Sequence, residues 1–169
     1  IQEALTRKFN IDTEKAGNIA ALASGNWNLA KDLLENTEDV RAHFVAFRQW
    51  LRYCFKPGDY IELNKFNTDI SRMGREKQKG FLNYGLDMVH QSILHNQDHN
   101  ELVLKNGEEL DFSSKLAPFV NDLNQHEIYQ LLNEAIYHVE RNAHPGILFT
   151  DLSFKLIDFL RLGRKKIRQ

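Results

Sequence analysis

Residues 127–160 read Glu127-Ile-Tyr-Gln-Leu-Leu-Asn-Glu-Ala-Ile-Tyr-His-Val-Glu-Arg-Asn-Ala-His-Pro145-Gly-Ile-Leu-Phe-Thr-Asp-Leu-Ser-Phe-Lys-Leu-Ile-Asp-Phe-Leu160. Apolar residues recur at Ile128, Leu131, Leu132, Ala135, Ile136 and Val139, the 3.6-residue rhythm of a helix with one buried face. The rhythm breaks at Asn142-Ala143-His144-Pro145. Pro145 has no backbone donor, so it can open a second helix but cannot sit inside the first. Beyond it, apolar residues occupy nearly every side of the pattern, which predicts a helix buried on more than one side. Two helices and a sharp joint point to an all-α chain.

On a helical wheel of the second helix, Leu148, Phe149, Leu152, Leu156, Phe159 and Leu160 fall within about 120° and form the core face. Phe154 and Ile157 lie outside that arc, three residues apart and adjacent on another side. Leaving each in water forgoes roughly 1.5–3 kcal/mol of burial, and such patches mark interfaces. Phe154 and Ile157 are therefore interface candidates. The competing reading is that another helix of the same bundle covers them.

Composition narrows the class. The chain has 169 residues, 42% hydrophobic and 27% charged, the make-up of an ordinary soluble globular protein. Folding at this length buries about 70% of the unfolded surface. Only 3 prolines and 9 glycines leave few breaks, which favours long helices. A formal net charge of -1 excludes a nucleic-acid binder that is basic over its whole surface. The single cysteine, Cys54, permits no internal disulfide and fits a reducing compartment, the cytoplasm. No apolar run reaches the roughly 18 residues of a membrane span, and no signal peptide is evident. The pattern is already helical at Ile1, which reads as the C-terminal piece of a longer protein.

Residues 1–36 read as three short helices. Leu5 and Phe9 anchor the first, and Asp12 or Thr13 caps the second, which carries Ala16, Ile19, Ala20 and Ala23. Gly25 stops it, Asn26 caps the third, and Leu29, Ala30, Leu33 and Leu34 face inward. Asn36-Thr37-Glu38-Asp39 reads as the start of a long helix to Phe55, with the stripe Val40, Phe44, Phe47, Leu51 and Phe55 flanked by Trp50 and Cys54. Pro57-Gly58-Asp59 is a turn. One helix follows through Ile61, Phe66 and Ile70, and a longer one over 75–95. Residues 95–111 are polar, contain Asn106-Gly107, and read as a long loop.

Several stretches resemble one family. Val139-Glu140-Arg141-Asn142-Ala143-His144-Pro145 and the apolar run to Asp151-Leu152 resemble the last two helices of the collar domain in clamp-loader subunits. Met73-Gly74-Arg75-Glu76-Lys77-Gln78-Lys79-Gly80-Phe81-Leu82 is similar to the middle collar segment of delta-prime subunits of bacterial DNA polymerase III. Phe112-Ser113-Ser114-Lys115-Leu116-Ala117-Pro118-Phe119-Val120 resembles the segment before the penultimate collar helix, and 20–30 the small helical lid of an AAA+ module. The resemblance covers essentially the whole chain in the right order. It implies a lid at 1–36 and a collar at 37–169.

The resemblance also bears on chemistry. No Gly-x-x-x-x-Gly-Lys-Ser/Thr loop occurs, so nothing in these residues cradles a triphosphate. The lid of an ATP-using subunit places an arginine three residues after its glycine; counting from Gly25, that position is Asn28. An amide cannot supply the positive charge which a transferring phosphate calls for. The departure agrees with delta-prime, a non-hydrolysing subunit. The plain alternative is that Asn28 extends a helix cap.

Other constellations are weak. His95 and His99 share the i,i+4 spacing of zinc ligands with His90 nearby, but no third soft ligand accompanies them. Asp39 and His43 are i,i+4, but Cys54 lies eleven residues further along the same helix, out of reach of His43. The tail cations Arg161, Arg164, Lys165, Lys166 and Arg168 could approach DNA phosphates, against a solvated, frayed terminus. Arg72, Arg75, Lys77 and Lys79 form a second basic cluster; Arg72 and Arg75 join the interface candidates because they adjoin or lie in a family-like segment.

The expectation is an all-α structural piece without catalytic, cofactor-binding or metal-binding residues. The resemblance implies partnership with the other clamp-loader subunits, and indirectly with the sliding clamp and primed DNA. A free-standing helical adaptor unrelated to replication is the alternative. An enzyme ranks third, for want of convergent catalytic groups.

Overall fold

The computed structural model describes residues 1–56, 58, 60–99, 101 and 107–168. Among these it contains eight α-helices, a short 3-10 helix and no strand. The helices are α1 (Gln2–Phe9), α2 (Thr13–Leu22), α3 (Trp27–Phe55), α4 (Tyr60–Ser71), α5 (Arg75–Asn96), α6 (Gly107–Leu116), α7 (Gln125–Glu140) and α8 (Pro145–Ile167). The 3-10 helix, Ala117–Phe119, lies between α6 and α7. No helix among the described residues is long and apolar enough to cross a membrane.

The chain divides into two compact units, Ile1–Ala42 and His43–Gln169. The expected helix start at Asn36 is absent: α3 runs through it, giving residues 27–42 to the first unit and 43–55 to the second. The cap-forming chemistry of Thr37 is used within the helix instead. The Thr37 hydroxyl donates to the Leu33 carbonyl at 2.7 Å, the back-bond that serine and threonine make within helices.

In the first unit Leu5, Ala16, Ile19, Ala23, Ala30 and Leu34 form the core, with Phe9, Ile11, Trp27 and Leu33 packed against them. Asp12 occupies the N-cap of α2 without a side-chain hydrogen bond. Asn26 caps α3, its side-chain oxygen accepting from the Leu29 N–H at 3.2 Å. Gly25, at φ 86°, provides the left-handed step between the two helices.

In the second unit the core combines aromatic and aliphatic side chains. Phe44, Phe47, Trp50, Phe81 and Phe149 are all but fully buried. Leu132, Leu152, Leu156 and Leu160 continue it along α7 and α8. Val40, expected on this stripe, lies in the first unit and is exposed. Gly85 lets α3 and α5 approach closely: a Cβ there would sit 2.9 Å from the Phe47 ring.

Polar groups inside this core are paired. Trp50 Nε1 donates to Ser153 Oγ at 2.8 Å, and Ser153 Oγ donates to Asn67 Oδ1 at 2.8 Å, tying α3, α8 and α4 together. Gln78 Nε2 donates to the Ile70 and Ser71 carbonyls, which satisfies the C-terminus of α4. Asn124 donates to Phe119 and Phe159 carbonyls, both at 2.8 Å, and Asn121 to Gly163 at 3.0 Å. Gly163 is required at that crossing, because a Cβ would meet the Phe119 carbonyl oxygen at 2.2 Å.

The joint after α7 is as the sequence reads. Asn142 turns left-handed at φ 57°, Pro145 opens α8, and the His144 ring nitrogen accepts from the Ile147 N–H at 3.3 Å. Of the stretch read as a loop over 95–111, His95 and Asn96 belong to α5 and residues 107–111 to α6. Asn106 of the expected Asn-Gly turn, and Pro57 and Asp59 of the expected Pro-Gly-Asp turn, lie outside the described residues.

Candidate interface surface

Phe154 and Ile157 have opposite fates. Ile157 is buried in the second unit's own core, so its candidacy as an exposed interface residue is corrected. A wheel drawn for one buried face misses this because α8 is packed by α7 on one side and by α4 on another. The second contact widens the buried arc through Ser153 to Ile157. Phe154 lies just past that arc and keeps 48% of its surface exposed.

Phe154 is not alone there. Its ring lies 5.8 Å from that of Tyr60, at the start of α4. Beside Tyr60, Ile61 is 83% exposed, and Ile147, two turns before Phe154 on α8, is 70% exposed. Leu63, Asn67 and Ile70 form the buried face of α4, and Ile61, at the start of the helix, lies off it. A groove of about 410 Å³ runs between α4 and α8, with Tyr60, Ile61, Leu63, Thr150 and Phe154 among its walls. Tyr60 and Ile147 went unnoticed in the sequence, although the i,i+7 spacing of Ile147 and Phe154 marks one helix face.

Of the basic candidates, Arg72 is exposed just beyond α4. Arg75 is exposed at the start of α5 and donates to Asn142 Oδ1 at 2.8 Å. One turn later Lys79 pairs with Glu140 at 3.3 Å. The basic cluster is thereby tied to the α7–α8 joint.

Two of the tail cations have partners on other elements. Arg164 donates to the Phe55 carbonyl at 2.6 Å and stacks on the Phe55 ring, so a cation sits at the C-terminus of α3, where the helix dipole favours it. Lys166 contacts Asp122, and its hydrogen bond holds the Asp122 carboxyl below the usual range.

The remaining constellations stay apart. His95 Nε2 lies 3.1 Å from Ser113 Oγ, and His99 faces Glu101 at 3.5 Å; no metal-holding cluster exists among the described residues. Ser113 is fully buried and donates to the Leu110 carbonyl. Burial pushes the Cys54 thiol up to about 12, far from a reactive thiolate. Asn28 is exposed in the first turn of α3.

No family model matches the chain, and no curated protein or solved structure matches it.

Proposed function

We propose that this chain is the lid-and-collar part of a delta-prime clamp-loader subunit of bacterial DNA polymerase III. In this reading it is a structural piece without an active site. The smaller unit hangs an AAA+ core from the larger one, and the larger one ties neighbouring subunits into the ring that opens a sliding clamp and sets it on primed DNA. Its setting is the cytoplasm, and its direct partners are the other clamp-loader subunits.

The observation that carries the reading is the meeting of two separate family-like stretches, 73–82 and 139–145, through Arg75–Asn142 and Lys79–Glu140. Stretches that resemble one domain at distant points of the sequence are here neighbours in space. The small helical unit ahead of a larger helical bundle also suits a lid followed by a collar.

The surface around Phe154 supplies the subunit contact, because its apolar groups lack cover. Phe154→Asp is expected to leave the melting temperature nearly unchanged and to abolish co-purification with the other clamp-loader subunits. Leu152→Asp is expected to unfold the larger unit, since its charge would be buried. Wild-type chain that fails to co-purify with any clamp-loader subunit would instead favour a free-standing helical adaptor.

A further inference from the structure

A second groove, independent of the clamp-loader reading, lies between α3 and α6 and measures about 360 Å³. Each helix turns one stripe toward it: Phe44, Arg48, Leu51, Arg52 and Phe55 from α3, and Glu108, Asp111, Phe112 and Lys115 from α6. Positions 44, 48, 51–52 and 55, and 108, 111–112 and 115, recur at one-turn intervals, so each set is a continuous helical face. Phe44 meets Phe112 edge-on at 5.9 Å, and Phe55 meets Phe119 at 4.9 Å, which makes the floor aromatic.

The two rims differ in charge. On the α6 side Asp111 is already paired with Lys115 at 2.8 Å, and Glu108 is also engaged. On the α3 side Arg48 lies over the Phe44 ring at 5.0 Å, and Arg52 is exposed one turn further on. Among the described residues, neither arginine has a carboxylate within ion-pair distance. Arg164, stacked on Phe55, adds a third cation at that end.

We propose that this groove docks an amphipathic helix of a partner protein, with apolar side chains on the aromatic floor and carboxylates one turn apart against Arg48 and Arg52. Charge complementarity selects the occupant. A helix with Asp or Glu at i,i+4 matches the one-turn spacing of the arginines, and its apolar anchors fall on the adjacent face. A basic helix would bring its own cations against the two guanidinium groups and be disfavoured.

The test uses the full chain and two fluorescently labelled, end-blocked helical peptides. One carries Leu anchors flanked by Glu at i,i+4; the other has each Glu replaced by Lys. Anisotropy is expected to show the Glu peptide binding at least about tenfold more tightly, with the preference reversed by Arg48→Glu with Arg52→Glu. Arg52→Glu alone, at an exposed position, is expected to weaken the Glu peptide while leaving the melting curve unchanged, which keeps the test valid if the double variant folds poorly. Equal binding of the two peptides, absence of binding into the millimolar range, or an Arg52→Glu chain that binds the Glu peptide like wild type would overturn the proposal.

Discussion

The Arg75 guanidinium donates to the Asn142 side-chain oxygen across 67 positions of sequence, at 2.8 Å. One residue begins α5 and the other turns the chain between α7 and α8. Arg75→Ala and Asn142→Gly are each expected to destabilise the larger unit slightly. Urea unfolding of the double-mutant cycle should give a coupling of roughly 0.5 kcal/mol, the scale of an exposed polar contact. Asn142→Ala should cost about 1–2 kcal/mol more than Asn142→Gly, because alanine resists the left-handed backbone. A coupling of zero would show that the bond contributes nothing.

Ser153 is the centre of the buried relay from Trp50 to Asn67. Ser153→Ala removes one hydroxyl but leaves an indole N–H and an amide oxygen without their partner. The expected loss is about 1–3 kcal/mol in urea unfolding, larger than a lone serine contact would give. Trp50 fluorescence offers a local readout, and an unchanged spectrum and midpoint would contradict the relay.

What was legible in the sequence had a local chemical cause. Pro145 lacks a donor, so the start of α8 could be placed from that residue alone. The i,i+3,i+4 rhythm of Ile128, Leu132, Ala135 and Val139 likewise gave the buried face of α7. Asn36-Thr37-Glu38-Asp39 misled because the same side chains serve at a cap or in a helix interior, and packing over a longer span decides which. Ile157 misled for a different reason. A wheel shows which residues share a side, not how many neighbours a helix has, and α4 supplied the second one. The exposure of Phe154 was legible in the sequence, whereas its neighbours Tyr60 and Ile61 required the α4–α8 packing to be seen.

Cys54 is held neutral by burial, its thiol pushed up to about 12 from an ordinary value of 9.0. Between these values the unfolded chain gives up a proton which the folded chain retains. Stability linked to this group is therefore complete below pH 9 and falls as pH rises, by up to about 1.4 kcal/mol per unit. Cys54→Ala should flatten that part of the pH profile relative to wild type, whatever else titrates there. A thiol reagent at pH 8 should react only with unfolded chain; rapid reaction of the native protein would contradict the buried position.

The first unit buries Leu5, Ala16, Ile19, Ala23, Ala30 and Leu34, half of them alanines with little surface to remove from water. Its amides in α1 and α2 should exchange with solvent faster than those of α5 and α7, whose core is larger and aromatic. Native-state hydrogen exchange checks this directly. Equal protection in both sets would mean that the two units open as one.

The most direct test of the clamp-loader reading is the mass of the assembly formed when this chain is mixed with the other clamp-loader subunits. Native mass spectrometry is expected to show one copy of this chain in a five-membered complex, and none when Phe154→Asp replaces wild type. A wild-type chain that remains alone at concentrations where the other subunits assemble would contradict the reading.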